Sequence, residues 1–192
     1  MYEQLYNSIH EHVTLSEEEW ELCKASFIPK RMRKRQFLLQ SGDVCRRLAF
    51  IEKGALFSYS LDENGNQNVI QFGFEGWWIA DLYSFLTDEP SELNIEVLEE
   101  SELLMIDRDQ NNELMEKVPA FANYNRILFQ NAFVALQRRI KNTIGLSAEE
   151  KYTRFLEDYP QTKERVPQHL IASFLGMTPE TLSRVRRSLT KS

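Results

Sequence analysis

The chain has 192 residues, of which 42% are hydrophobic and 27% charged, and a formal net charge of −6. This is room for one domain or two small ones of ordinary globular composition. No apolar run approaches the length of a bilayer span, and MYEQLYNSIHEH lacks the basic segment and apolar core of a signal peptide. Cys23 and Cys45 are the only cysteines; they fit a reducing cytoplasm and are too few for a cluster or a structural zinc. His10, His12 and His169 add no ligand spacing, so neither a metal nor a cofactor is expected.

Residues 1–29 read as helical. Ser16 and Glu19 form a capping box, Glu17, Glu18, Glu19 and Glu21 crowd the helix start, and Pro29 ends the segment. Lys30, Arg31, Arg33, Lys34 and Arg35 follow as a basic run, either a solvated strand flank or a contact for a partner or DNA backbone. From residue 36 to 107 the pattern changes to short strands: Phe37–Leu39, Leu48–Ile51, Leu56–Leu61, Asn68–Phe74, Ile95–Leu98 and Leu103–Ile106. Asp62-Glu63-Asn64-Gly65 is a hairpin signal between two of them. Short strands separated by glycine turns, without long helices between them, predict an antiparallel barrel or sandwich. Within it, Gly76-Trp77-Trp78-Ile79 runs into a short helix at Ala80–Leu86.

Asp107–Met115 is again helical, and Pro119 opens a long helix through Ile144, ended by Gly145. Its apolar stripe is too broad for one face, so it buries more than one side, within a subunit or against its twin across a two-fold axis. Ala148–Leu156 is a further helix. The spacing then predicts a helix-turn-helix. Leu170, Ile171, Phe174 and Leu175 lie at helical spacing, Gly176 stops that helix, and Thr178 caps the next, with Pro179 in its first turn. In the second helix Leu182, Val185 and Leu189 face inward, while Glu180, Ser183, Arg184 and Arg187 form one polar stripe suited to a major groove. From Val166 onward Arg184, Arg186, Arg187 and Lys191 oppose only Glu180, a formal +3 that leaves −9 on the preceding residues. A basic end on an acidic body points to nucleic acid. No catalytic set and no phosphate loop of the G-x-x-x-x-G-K type is present, so no enzymatic activity is expected.

Five segments carry a resemblance: GDVCRRLAFIEKGALFSYSLDENG, FGFEGWWIADLYSFLTDEPS, LFQNAFVALQRRI, LSAEEKYTRFL and VPQHLIASFLGMTPETLSRVRR. Together they resemble the CRP/FNR superfamily of transcription regulators, in the branch found in Bacteroidetes-type bacteria. The resemblance implies an α+β chain in three parts. A double-stranded β-roll of the cyclic nucleotide-binding-like jelly-roll type, with its N-terminal helix, spans 1–118. A dimerisation helix spans 119–145. A winged helix-turn-helix spans 146–192, with wing strands around Gln161–Val166. It also implies a cytoplasmic homodimer on a palindromic promoter site, with double-stranded DNA, RNA polymerase and a small-molecule effector as partners and no membrane. A β-roll scaffold whose helix-turn-helix contacts protein is the alternative.

Nucleotide-binding members carry a glycine-glutamate pair, a short helix, then an arginine and a hydroxyl residue. Here Gly76 matches the glycine, Trp77 stands at the glutamate position, and Ser91-Glu92-Leu93 replaces the arginine region, with no arginine from Gly76 to Met105. Cyclic AMP and cyclic GMP are therefore not expected. Gly76, Trp77, Trp78, Tyr83 and Phe85 are the effector-pocket candidates; the four aromatic ones either line a cavity for an apolar ligand or fill the roll against the long helix. The resemblance carries Glu180, Ser183 and Arg184 onto base-reading positions. Arg184 suits a guanine edge and Glu180 a cytosine amino group, and the pair is spaced to hold one another. Arg186 and Arg187 suit phosphates, as do Thr178, Gln168 and His169 near the helix starts.

Overall fold

The computed structural model describes residues 2–162 and 164–190. Its elements, in chain order, are α1 (Glu3–His10), α2 (Glu17–Ser26), β1 (Ile28–Met32), β2 (Phe37–Leu39), β3 (Arg47–Lys53), β4 (Leu56–Leu61), β5 (Gln67–Gly73), β6 (Trp78–Ile79), α3 (Leu82–Thr87), β7 (Asn94–Val97), β8 (Ser101–Asp107), α4 (Arg108–Lys117), α5 (Pro119–Gly145), α6 (Ala148–Asp158), α7 (Gln168–Phe174) and α8 (Pro179–Thr190). The strands form two four-stranded sheets, ordered β1-β8-β3-β6 and β2-β7-β4-β5. The chain is thus α+β, a jelly-roll-like pair of sheets followed by helices. It divides into two compact units, Met1–Ser58 with Phe72–Asn131 and Tyr59–Gln71 with Ala132–Ser192.

In the first unit the alternation of the strands closes a core around Phe50, Ile51, Ile79, Leu103 and Leu104, all under 2% exposed. β8 is the central partner, pairing Leu104 with Pro29 on one side and with Phe50 on the other. The Ser16 capping box forms as expected: Glu19 N–H donates to Ser16 Oγ at 3.2 Å and Ser16 N–H to Glu19 Oε2 at 2.8 Å. Residues 1–29 are not uniformly helical, however. Pro29 ends no helix; it sits inside β1, a strand that periodicity alone did not reveal. β1 is the edge of its sheet, so the missing proline N–H breaks no ladder. Lys30 and Arg31 lie on this exposed edge, where charge also blunts pairing with a further strand. Buried Glu52 accepts the N–H groups of Gln4 and Leu5, at 3.3 and 2.8 Å, and so anchors the start of α1 to β3. Gly54, at φ +98°, is obligatory: a Cβ there would stand 2.7 Å from the Glu100 carbonyl oxygen.

In the second unit Tyr59, Val69, Tyr152, Phe155, Val166, Leu170, Ile171, Ala172, Leu182 and Val185 are the buried hydrophobic residues among those described. Ser147 caps α6 through a second box with Glu150. The β4–β5 hairpin turns at Asp62–Gly65, where Asp62 Oδ1 accepts the N–H groups of Asn64 and Asn66. No strand occurs among the described residues from 146 to 190. Where wing strands were expected, Pro160–Thr162 forms a 3-10 turn, and Lys163 lies outside the described residues. Pro160 and Pro167 bracket this segment, and neither has an N–H to give to a ladder.

Candidate functional site

The helix pair α7–α8 is built by its turn. Gly176, at φ +66°, reverses the chain. Its N–H bonds the Ser173 carbonyl at 3.0 Å, and Met177 N–H bonds the Ala172 carbonyl at 3.0 Å. That is the Schellman pattern, which closes the open carbonyls of α7. Thr178 Oγ1 then accepts from Thr181 N–H at 3.2 Å, the expected N-cap of α8. Leu170, Ile171 and Ala172 of α7 are buried, as are Leu182 and Val185 of α8. The small Ala172, 0% exposed, lets the two helices approach.

The polar stripe of α8 is the other face of the same helix. Glu180, Ser183, Arg184 and Arg187 are all exposed, as are Arg186 and Thr178. Gln168 and His169 are exposed in the first turn of α7. Glu180 and Arg184 do not pair with each other among the described residues. The Glu180 carboxyl is held below its ordinary range by its own backbone N–H and by Thr178 at the helix start. Arg184 Nη2 rests instead on Thr181 Oγ1 at 3.3 Å, and Arg187 Nη2 on Ser183 Oγ at 3.3 Å. Thr181 has no charge or spacing that marks it in the sequence; its neighbours in the stripe carry the charge. Lys191 lies outside the described residues.

The five effector-pocket candidates differ in their surroundings. Trp77 follows the Gly76 turn, its ring edge-on to Phe74. Trp78 packs on Phe27 and Phe50 and donates its indole N–H to Tyr124 Oη at 3.0 Å, so it ties β6 to α5. Ser8 completes that link at 2.7 Å from Tyr124 Oη, and burial lifts the Tyr124 phenol above its ordinary range. Tyr83 is 61% exposed and bonds Glu89, whereas Phe85 is 2% exposed beneath the Arg108 guanidinium. A groove of about 900 Å³ does open in the first unit, but none of the five lines it. Its walls are Leu39, Cys45, Ile79 and Ile95, with Lys30, Arg46, Arg47 and Arg108 set against Asp43, Asp88, Asp107 and Asp109. The cations and carboxylates balance in number, so the groove has no net preference for an anion.

The acidic residue that precedes the short helix α3 is Asp81, four positions after Trp77. It is 7% exposed and its bonds are made internally. Asp81 Oδ1 caps α3 by accepting from Tyr83 and Ser84 N–H, and Oδ2 accepts from Ser91 Oγ at 2.6 Å. Arg108, which burial and spacing bring to the same region, is committed to Asp88. The Asp88 carboxyl is accordingly held below its ordinary range by that hydrogen bond. A phosphate brought to the Ser91 turn meets a carboxylate, without an arginine on the loop to offset it.

Residues 29–118 match the cyclic nucleotide-binding domain family. The regulatory protein HlyX of Actinobacillus pleuropneumoniae is 28% identical over 176 residues, spanning 85% of this chain and 72% of HlyX. The fumarate and nitrate reduction regulatory protein of Vibrio cholerae is 26% identical over 176 residues, spanning 85% of this chain and 69% of its own. FixK2 from Bradyrhizobium japonicum shares the fold with a TM-score of 0.75 at 16% identity, over 86% of this chain and 85% of its own. The c-di-GMP responsive global regulator CLP of Xanthomonas campestris does so with a TM-score of 0.73 at 16% identity, over 92% of each chain. The two-sheet roll lies where the cyclic nucleotide-binding domain match lies, and along most of its length the chain is similar to bacterial regulatory proteins.

Proposed function

We propose that the chain is a sequence-specific DNA-binding transcription regulator that acts as a homodimer on an inverted-repeat promoter site, with α7–α8 as a helix-turn-helix. The observation that carries this reading is the division of α8. Leu182 and Val185 are buried, while Glu180, Ser183, Arg184 and Arg187 line up exposed on the opposite face. Such a helix in a major groove offers Arg184 to guanine and Glu180 to a cytosine amino group, with Arg186 and Arg187 directed to phosphates. Thr178, Gln168 and His169 clamp the phosphate chain from the helix starts. In this scheme residues 1–118 are the sensor, 119–145 the dimerisation helix and 146–192 the DNA-binding part.

The dimer is supported by α5. Phe133, Leu136, Ile140 and Ile144 are spaced by three and four residues and are all more than half exposed, Ile144 by 83%. An a/d-like apolar seam open to water is what a second copy of the helix covers. In this reading the effector is not a cyclic nucleotide, which is supported by the hydrogen bond that commits Ser91 Oγ to Asp81 at the turn the resemblance assigns to the phosphate.

The test is capture of genomic fragments by the purified full-length protein, followed by affinity measured from low to high salt. The expected result is an enriched inverted repeat, bound with a steep linear fall of log affinity against log salt. A folded protein that enriches no duplex at low salt would overturn the reading.

A further inference from the structure

β5 is an edge strand, yet the Gln67 carbonyl and both backbone groups of Val69 are bonded by side chains. Ser173, near the end of α7, accepts from Val69 N–H at 2.9 Å and donates to the Gln67 carbonyl at 2.5 Å. One hydroxyl thus fills the two positions, flanking Asn68, that a residue of a parallel neighbouring strand would fill. Arg139 of α5 donates to the Val69 carbonyl at 2.9 Å, and its guanidinium lies 4.3 Å from the Phe174 ring centroid. Phe174 in turn packs edge-on against Tyr159 at 5.3 Å. Gln67, Val69, Arg139, Tyr159, Ser173 and Phe174 all belong to the second unit.

From this geometry we infer that Ser173 is a positioning residue, a latch that fixes the α7–α8 pair against the β4–β5 hairpin, with Arg139 as its second point of attachment. The latch engages only α7, so the exposed stripe of α8 stays open to DNA while latched. It acts on where the pair is held and not on what the pair reads. Side-chain coverage also protects the β5 edge from pairing with foreign strands.

The inference rests on the DNA-binding reading, and the experiment separates the two. Full-length wild type, Ser173→Ala and Ser173→Thr are compared for amide hydrogen exchange at Val69. They are also compared for affinity to the duplex enriched by the wild type and to the same duplex with one half-site scrambled. Ser173→Ala is expected to speed exchange at Val69 and to weaken binding to the intact repeat about tenfold, leaving the single half-site unchanged. Ser173→Thr keeps the hydroxyl and is expected to stay near wild type in all three. Unchanged exchange in the alanine variant, an equal loss on both duplexes, an intact repeat bound as tightly as by wild type, or a threonine variant that behaves like alanine would overturn the latch. If the wild type itself enriches no duplex, the DNA reading falls and the exchange measurements alone decide whether the latch exists.

Discussion

At Arg184 the proposed chemistry reduces to one guanidinium. Replacing it with alanine is expected to cost about 1–3 kcal/mol of discrimination at a single base pair while leaving non-specific affinity nearly intact. Affinities for singly substituted operators measure this, and uniform weakening across all of them would assign Arg184 to phosphate instead. Glu180 differs because it is held at the helix start. Its carboxyl lies below its ordinary range, so it stays ionised as pH falls to the usual carboxylate values and protonates only below them. Its contribution is therefore expected to be constant from pH 8 to about 5 and lost only at more acidic values, read as the cytosine preference at its base pair. Asp81 is a structural carboxylate. Asp81→Ala removes the cap of α3 and the partner of Ser91, and is expected to destabilise the roll by about 1–3 kcal/mol in urea unfolding. Cys23 is buried, and desolvation together with Glu19 pushes its thiol up to about 12. That residue belongs to the core and not to redox chemistry.

Among the elements, α5 carries two different jobs along its length. Phe121, Tyr124 and Asn125 are buried near its start, whereas Phe133, Leu136, Ile140 and Ile144 are exposed further on. The breadth of its apolar pattern, read from sequence as more than one buried side, resolves into two stretches in series. Leu136→Glu combined with Ile140→Glu is expected to yield a folded monomer in sedimentation, because paired charges on the seam repel their twins. Persistence of the dimer would place the interface elsewhere. β1 teaches the opposite lesson. A proline and a basic run disguised a strand, because an edge strand needs only one row of hydrogen bonds and little alternation. The short α3 and the Ser16–Glu19 capping box of α2 were legible, since a capping box is a local interaction between residues three apart.

For the molecule as a whole, charge sets how binding responds to salt. The body is acidic and the C-terminal segment basic, so association with DNA is expected to fall steeply with ionic strength. Arg187→Ala should reduce the slope of log affinity against log salt by about one, without changing site preference. An unchanged slope would remove Arg187 from the phosphate contacts. The hairpin 59–71 clusters with the C-terminal helices although its sequence lies between strands of the roll. A boundary drawn along the chain cannot express that grouping.

Sequence alone determined the strand-rich middle, the long helix, the turn at Gly176 and the split of α8 into buried and exposed faces. Each of these is written in residues a few positions apart, through periodicity, capping and glycine conformation. Only the tertiary structure decided that Asp81 closes on Ser91, that Trp78 reaches Tyr124, and that Ser173 grips the edge of β5. Those contacts join residues 10 to 106 positions apart. A hydroxyl or carboxylate carries no local mark of which distant donor it will meet, because the fold selects the partner.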